Sequence, residues 1–243
     1  MGSLSKPSGQ LWLGVAQVRT RIKVCCIASL EEARLAIQAG ADALGFVGVT
    51  PPSPRTIPDA RIAEITAEAP PPVATFLLTS EQTAGAICAQ VRRTHPTTVQ
   101  ILSPIDPAES ARLADLEPHV RRVQVIHVEG PAALDLIAVY APHVHAFLLD
   151  SGRPNAPAPE FGGTGRQHDW TVSAEFVRSS RLPVFLAGGL SAANAADAIR
   201  QVRPFGLDLC SGVRTGGSLD LGKLTDFMFA VGRADEGLAP AQG

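Results

Sequence analysis

The fold class this sequence predicts is a single parallel α/β barrel, on three observations. Short apolar runs alternate eight times with segments of helical character across 243 residues. The runs are mostly continuous, as strands buried on both faces are. Glycine-rich turns follow the late runs rather than the first. Strict strand–helix alternation forces a parallel sheet, and eight units in this length close into a (β/α)8, or TIM, barrel. An open doubly wound sheet is the rival. Its glycine fingerprint belongs after the first strand, where this chain has CCIASL.

Each element has its own signal. The first strand covers 21–27 (RIKVCCI). Ser29 caps the helix 30–39, with Glu31 and Glu32 in its first turn and Gly40 past its end. The second strand is 42–47, followed by a proline-rich loop, PPSPRTIP, and the helix 59–68. Strands at 73–78, 98–102 and 121–128 alternate with helices at 81–93, 107–116 and 131–140. The sixth strand is 144–149, and a long loop leads to a helix from Trp170 to about Ser180. Strand 183–186, helix 192–202, strand 207–210 and helix 219–231 complete the ring. Residues 1–20 form an N-terminal extension, either a loose tail or a small lid under the barrel, with an apolar patch at Leu11, Trp12 and Leu13. The barrel domain covers 21–232, and 233–243 is a flexible C-terminal tail.

Composition narrows the function. Apolar residues make 45% of the chain and charged residues 18%, a globular balance. The net charge of −2 offers no basic field for nucleic acid and no polybasic run for a membrane. A small phosphorylated partner remains compatible, because backbone amides bind phosphate locally. No apolar stretch reaches membrane-spanning length, and LWLGVAQV lacks the basic start and cleavage site of a signal peptide. Cys25, Cys26, Cys88 and Cys210 have neither zinc nor disulfide-framework spacing, which points to a reduced, cytoplasmic setting. The histidines His127, His143, His145 and His168 show no ligand spacing, so no metal is expected. The 18 arginines against 3 lysines reflect genomic base composition rather than a site.

The candidate chemistry lies at the strand ends. In LAGGLSAAN, Gly188 and Gly189 let backbone approach a ligand, and the following helix, capped by Ser191 or Asn194, supplies free N–H groups. A second turn, Cys210-Ser211-Gly212-Val213, follows the eighth strand. Together they match the barrel phosphate site built by the loops after strands seven and eight. Asp150 ends the apolar run FLLD. It is either a loop carboxylate, capping or paired with Arg153, or a buried acid of raised pKa. Cys25 ends the first strand. A single buried cysteine is most often an inert small hydrophobe, and a base would need a lowered pKa. Strand alternation turns Cys26 away from Cys25, against the helices, with Cys88 structural on its own helix. Arg55 follows stiff prolines and suits a planar carboxylate. The loop 152–170, with Gly162-Gly163-Thr164-Gly165, is long enough to be a lid.

The stretches KVCCIASLEEA, AGADALGFVGVTPPSPR, FLLDSG, FGGTGRQHDW, LAGGLSAANAADAIRQVRP and GLDLCSGV resemble the phosphoribosylanthranilate isomerase family of tryptophan biosynthesis. The likeness runs from Arg21 to Val231 and is poor over 80–140. It implies an Amadori rearrangement of N-(5-phosphoribosyl)anthranilate to the carboxyphenylamino-deoxyribulose phosphate, with no cofactor and no metal. It implies Asp150 as general acid, opening the ribose ring to a Schiff base, and Cys25 as general base on the C2 proton. It implies Arg55 on the anthranilate carboxylate, Asp208 near the anthranilate nitrogen, and Gly163, Gly188, Gly189, Ser211 and Gly212 on the phosphate. The chain departs from the pattern at three places: Cys26 stands for a glycine, Ser103 for a site-lining histidine, and Arg214 for a glutamate. Arg214 beside the phosphate loop would favour a more acidic ligand. Two other readings stay open: a diverged paralogue acting on another phosphorylated amino-sugar, and a barrel that only binds one. A histidine-pathway aldose isomerase carries a carboxylate where Cys25 stands. The implied partner is a small phosphorylated substrate, and the enzyme is expected as a monomer or homodimer.

Overall fold

The computed structural model describes residues 19–49, 53–152 and 168–238. The expected N-terminal extension up to residue 18, most of the 152–170 loop with Gly163, and the last five residues lie outside the described residues.

Eight parallel strands form a closed barrel in sequence order, β1 (Arg21–Val24), β2 (Ala43–Val47), β3 (Ala74–Thr79), β4 (Thr98–Ile101), β5 (Arg121–His127), β6 (Ala146–Asp150), β7 (Val184–Leu186) and β8 (Gly206–Leu209), with β8 pairing back to β1. The helices are α1 (Leu30–Gln38), α2 (Asp59–Glu68), α3 (Ala84–Thr94), α4 (Pro107–Leu116), α5 (Asp135–Tyr140), α6 (Trp170–Ser179), α7 (Ala195–Val202) and α8 (Leu221–Glu236). Local chemistry sets their starts. Ser29, Thr83, Asp106, Asp169 and Asp220 each accept a first-turn N–H. Gly40, at φ 101°, turns the chain after α1.

Alternation along the strands makes two cores. Outward side chains such as Phe147, Leu186, Leu207 and Leu209 pack under the helices, and Phe147 meets Phe176 of α6 edge-on at 5.2 Å. Inward side chains form a separate cluster with Cys25, Val47, Phe76, Leu78, Val125, Leu148, Phe185 and Ala187. The barrel floor mixes large and small residues. Phe185 lies edge-on to both Phe76 and Phe205. A Cβ at Gly206 would sit 2.8 Å from the Phe185 ring, so only glycine fits there.

Several boundaries differ from expectation, among them the start of α3, at Ala84 rather than 81, where Thr83 caps the helix. β1 stops at Val24 because Cys26 takes a left-handed backbone, φ 63°. The helix after β5 begins as a 3-10 turn over Pro131–Leu134, since Gly130 breaks the entry. α7 begins at Ala195, three residues later than its apolar pattern suggests. α8 runs on to Glu236, where Asp235 accepts both the N–H and the hydroxyl of Thr20 at 2.7 Å. A two-residue hairpin, Arg214–Thr215 with Ser218–Leu219, precedes α8 and turns on Gly216 and Gly217, both at positive φ. It went unpredicted. Among the described residues no helix is long and apolar enough to cross a membrane.

Candidate active site

The C-terminal strand ends carry the polar groups the sequence singled out, and the barrel register fixes which of them face inward. Lys23 on β1 and Cys25 just past its end share the inner face. Each backbone lies beside β8, where Lys23 pairs in register with Asp208 and the Cys25 N–H donates to the Leu209 carbonyl at 2.7 Å. Gly45 of β2 leaves the space they use. A Cβ there would stand 2.9 Å from both the Cys25 sulfur and the Lys23 Nζ.

Lys23 and Asp208 form an ion pair at 2.8 Å inside the barrel, with both side chains buried. The Nζ also sits 5.4 Å from the centre of the Phe76 ring. Burial pulls the lysine pKa down, but the charge and hydrogen bond of Asp208, with Cys25 adding, hold it above its ordinary value. Lys23 is therefore a fixed cation beneath the mouth. Sequence reasoning missed it. The available signal was its spacing two residues before Cys25 in a buried strand, because a lysine on an inner face needs a carboxylate partner.

Asp150 ends β6 on the inner face and is buried. Burial pushes its pKa above the ordinary carboxylate value. The Ser151 N–H, donating at 2.7 Å, and His127 pull it back in part, while Asp208 adds like charge. His127 is the register partner of Asp150 on β5, and its Nε2 lies 2.9 Å from the Leu102 carbonyl oxygen. It was set aside at the sequence level because it has no metal spacing. Its position at the end of an alternating strand is what aligns it with Asp150.

Arg55 sits half-buried in the loop after β2. That loop is stapled to the strand end by Ile57 N–H donating to the Val47 carbonyl, and within itself by Ser53 and Thr56. The guanidinium is close enough for Cys210 to feel its charge.

The two late loops pack against each other. Gly188 and Gly189 have φ 88° and 65°, a left-handed pair that glycine adopts without strain. Asn194 does not cap α7 with its side chain. It accepts the Ser191 N–H and donates to the Gly189 carbonyl, both at 2.9 Å, and so holds the turn instead. Ser211 to Val213 make one 3-10 turn after β8. A Cβ on Gly212 would lie 2.0 Å from the Leu190 carbonyl oxygen, so the loops touch backbone to backbone. Gly212→Ala must force them apart. The expected result is at least a tenfold rise in KM for a phosphorylated substrate with a smaller change in kcat, read from initial rates.

Three expectations fail. Cys26 does not lie against the helices. Its positive φ ends the strand alternation and turns the thiol into the mouth, with its sulfur 2.8 Å from that of Cys210. Ser103 does not line the site. It is buried with its hydroxyl donating to the Ser80 carbonyl at 3.1 Å, and the inward position is Leu102. Arg214 does not face a ligand. It is buried, bound to Glu32 at 2.9 Å, and donates to the carbonyls of Cys25, Cys26 and Gly217. Its charge clamps the first loop to α1.

The family described as N-(5'phosphoribosyl)anthranilate (PRA) isomerase matches residues 22–230. An N-(5'-phosphoribosyl)anthranilate isomerase of Methanocella arvoryzae is 37% identical over 194 residues, covering 80% of this chain and 89% of that protein. One from Haloarcula marismortui is 33% identical, covering 90% and 99%. Among solved structures, the phosphoribosyl anthranilate isomerase of Thermotoga maritima superposes with a TM-score of 0.75 at 27% identity, covering 88% of this chain and 99% of that one. Another, 25% identical with a TM-score of 0.72 and the same coverage, is a complex with reduced 1-(o-carboxyphenylamino)-1-deoxyribulose 5-phosphate.

Proposed function

The chain belongs to the N-(5'-phosphoribosyl)anthranilate isomerase family, and we propose from that premise how its own residues carry the aldose–ketose rearrangement. It is an isomerase of the aromatic amino acid pathway that converts phosphoribosylanthranilate to the 1-deoxyribulose phosphate. The observation that supports the assignment of roles is the buried Asp150, its pKa raised by burial, on the same inner rim as Cys25.

Asp150 holds a proton at neutral pH more readily than an ordinary carboxyl, because burial disfavours its charge. It donates that proton to the ribose ring oxygen as the ring opens to a Schiff base. Cys25 takes the proton from C2, and the enolamine relaxes to the ketone. Lys23 stands beside Cys25 as a permanent positive charge, paired below by Asp208. Asp208, tied to Lys23, serves the anthranilate nitrogen through its remaining oxygen.

Arg55 holds the anthranilate carboxylate. Arg55→Ala therefore raises KM about tenfold or more, the worth of a charge-assisted hydrogen bond, and an unchanged KM removes it from that role. Gly188, Gly189, Ser211 and Gly212 hold the phosphate through backbone N–H groups, with Gly163 on the lid as a further contact. No cofactor enters these steps. We place the enzyme in the cytoplasm, as a monomer or homodimer, with residues 1–20 an extension outside a catalytic barrel that starts at residue 21 and runs to the end of α8 at Glu236, past the expected boundary at 232.

Complementation tests the function in a cell. A tryptophan auxotroph lacking only this isomerase should grow without tryptophan when it expresses the chain, and not when it expresses Asp150→Ala. Failure to grow while the folded wild type accumulates would move the reading to a paralogue for another phosphorylated amino-sugar.

A further inference from the structure

Three of the four cysteines stand at the barrel mouth. Cys25 is accounted for by the reaction. Cys26 and Cys210 are not. They come from opposite ends of the barrel domain, one after β1 and one after β8, and their sulfurs are 2.8 Å apart. A disulfide needs about 2.05 Å, so the pair lies within about 0.8 Å of bonding.

Cys26 is held there against backbone preference. A left-handed conformation is unfavourable for a non-glycine residue. The loop keeps it because Arg214 donates to the Cys25 and Cys26 carbonyls and is itself anchored on Glu32. Strain over-determined in this way marks a position where the side chain matters. The two thiols also differ in access: Cys26 is buried and Cys210 half-buried.

We infer that Cys26 and Cys210 are a reversible redox pair, oxidised by hydroperoxides to a disulfide that shuts the active site. The inference rests on the isomerase reading for its effect on turnover. The hydrogen bond shared with Cys26, with help from Arg55 and Arg214, brings the Cys210 thiol down to about 7, so much of it is thiolate at neutral pH. That thiolate attacks one peroxide oxygen, the O–O bond breaks, and hydroxide leaves a sulfenic acid on Cys210. The Cys26 sulfur attacks the sulfenic sulfur, forming the S–S bond and expelling hydroxide, which takes the Cys26 proton. In sum, two thiols and one peroxide give one disulfide and two waters, and a small dithiol reverses the link by exchange. The link ties the backbone next to Cys25 to the backbone next to Ser211 and Gly212. A shift approaching 1 Å at reacting groups costs up to about 100-fold.

The test treats the purified protein with a slight excess of hydrogen peroxide and takes three readings. Thiols titrated in denaturant should fall by two from four. Peptide mapping should find Cys26 joined to Cys210. The kcat/KM should drop at least tenfold and return with dithiothreitol. Cys210→Ala and Cys26→Gly should lose the link and the reversible part of the inactivation. Glycine relieves the positive φ, so that variant folds whatever the sulfur contributes. Four surviving thiols, a link through Cys25, or full activity in the linked protein would each overturn the inference. The thiol count and the map need no turnover, so a link formed in a protein that never isomerises supports the pair and counts against the proposed function instead.

Discussion

Cys25→Ala and Asp150→Asn are each expected to lower kcat by 10²–10⁴-fold, the span general acid–base catalysis contributes, but to differ in their effect on stability. Cys25 is a small apolar-like thiol on the inner rim, and trimming it to alanine leaves the melting curve nearly unchanged. Asp150 differs. Its folded pKa is raised by burial, so the protonated form is the one the fold favours. The stability it contributes is fully present below the unfolded value of about 3.9 and is lost as pH rises through the raised folded value. At pH 7 the carboxylate opposes folding, and asparagine removes that charge while keeping the shape. Asp150→Asn should therefore melt higher than wild type at pH 7, by roughly 2–4 °C per kcal/mol relieved, and the gain should shrink as pH falls. The same sign governs activity: the acid step weakens as pH rises through the folded pKa. Melting curves and rates across pH check both. An Asp150→Asn enzyme that is active, or one that melts lower at pH 7, contradicts the assignment.

Lys23→Met should be the most destabilising single change at the site. It leaves the Asp208 carboxylate alone inside the barrel, 2.8 Å from where its partner stood. Breaking a buried pair from one side costs about 3–5 kcal/mol, which lowers the melting temperature by roughly 10 °C. Adding Asp208→Asn to Lys23→Met should recover part of that loss, because the stranded charge is what costs most. A single variant melting within about 2 °C of wild type would mean the pair contributes no such stability.

The periodic part of the fold was legible in the sequence. The bounds of α2 and α4 follow directly from Pro58 before Asp59, and from Asp106 capping with Pro107 in the first turn. Asp150, Cys25, Gly188 and Gly189 were found because each ends an apolar run. What was lost depends on single-residue register or distant pairing. One step of register separates Ser103 from Leu102 and exchanges inner face for outer. One positive φ at Cys26 turns a thiol from the helices into the mouth. Lys23 meets Asp208 across 185 positions, and Arg214 meets Glu32 across 182, through barrel closure that no local pattern encodes. The Arg214 charge looked available for a ligand only because its partner, Glu32, lay near the other end of the chain.

The most direct measurement is turnover by the purified wild-type chain. Phosphoribosylanthranilate, made in place from anthranilate and phosphoribosyl pyrophosphate by the preceding transferase, is followed by its anthranilate fluorescence. Rapid loss of signal with the wild type, absent with Cys25→Ala, is the predicted result. A folded wild type that leaves the signal decaying at the uncatalysed rate would contradict the account.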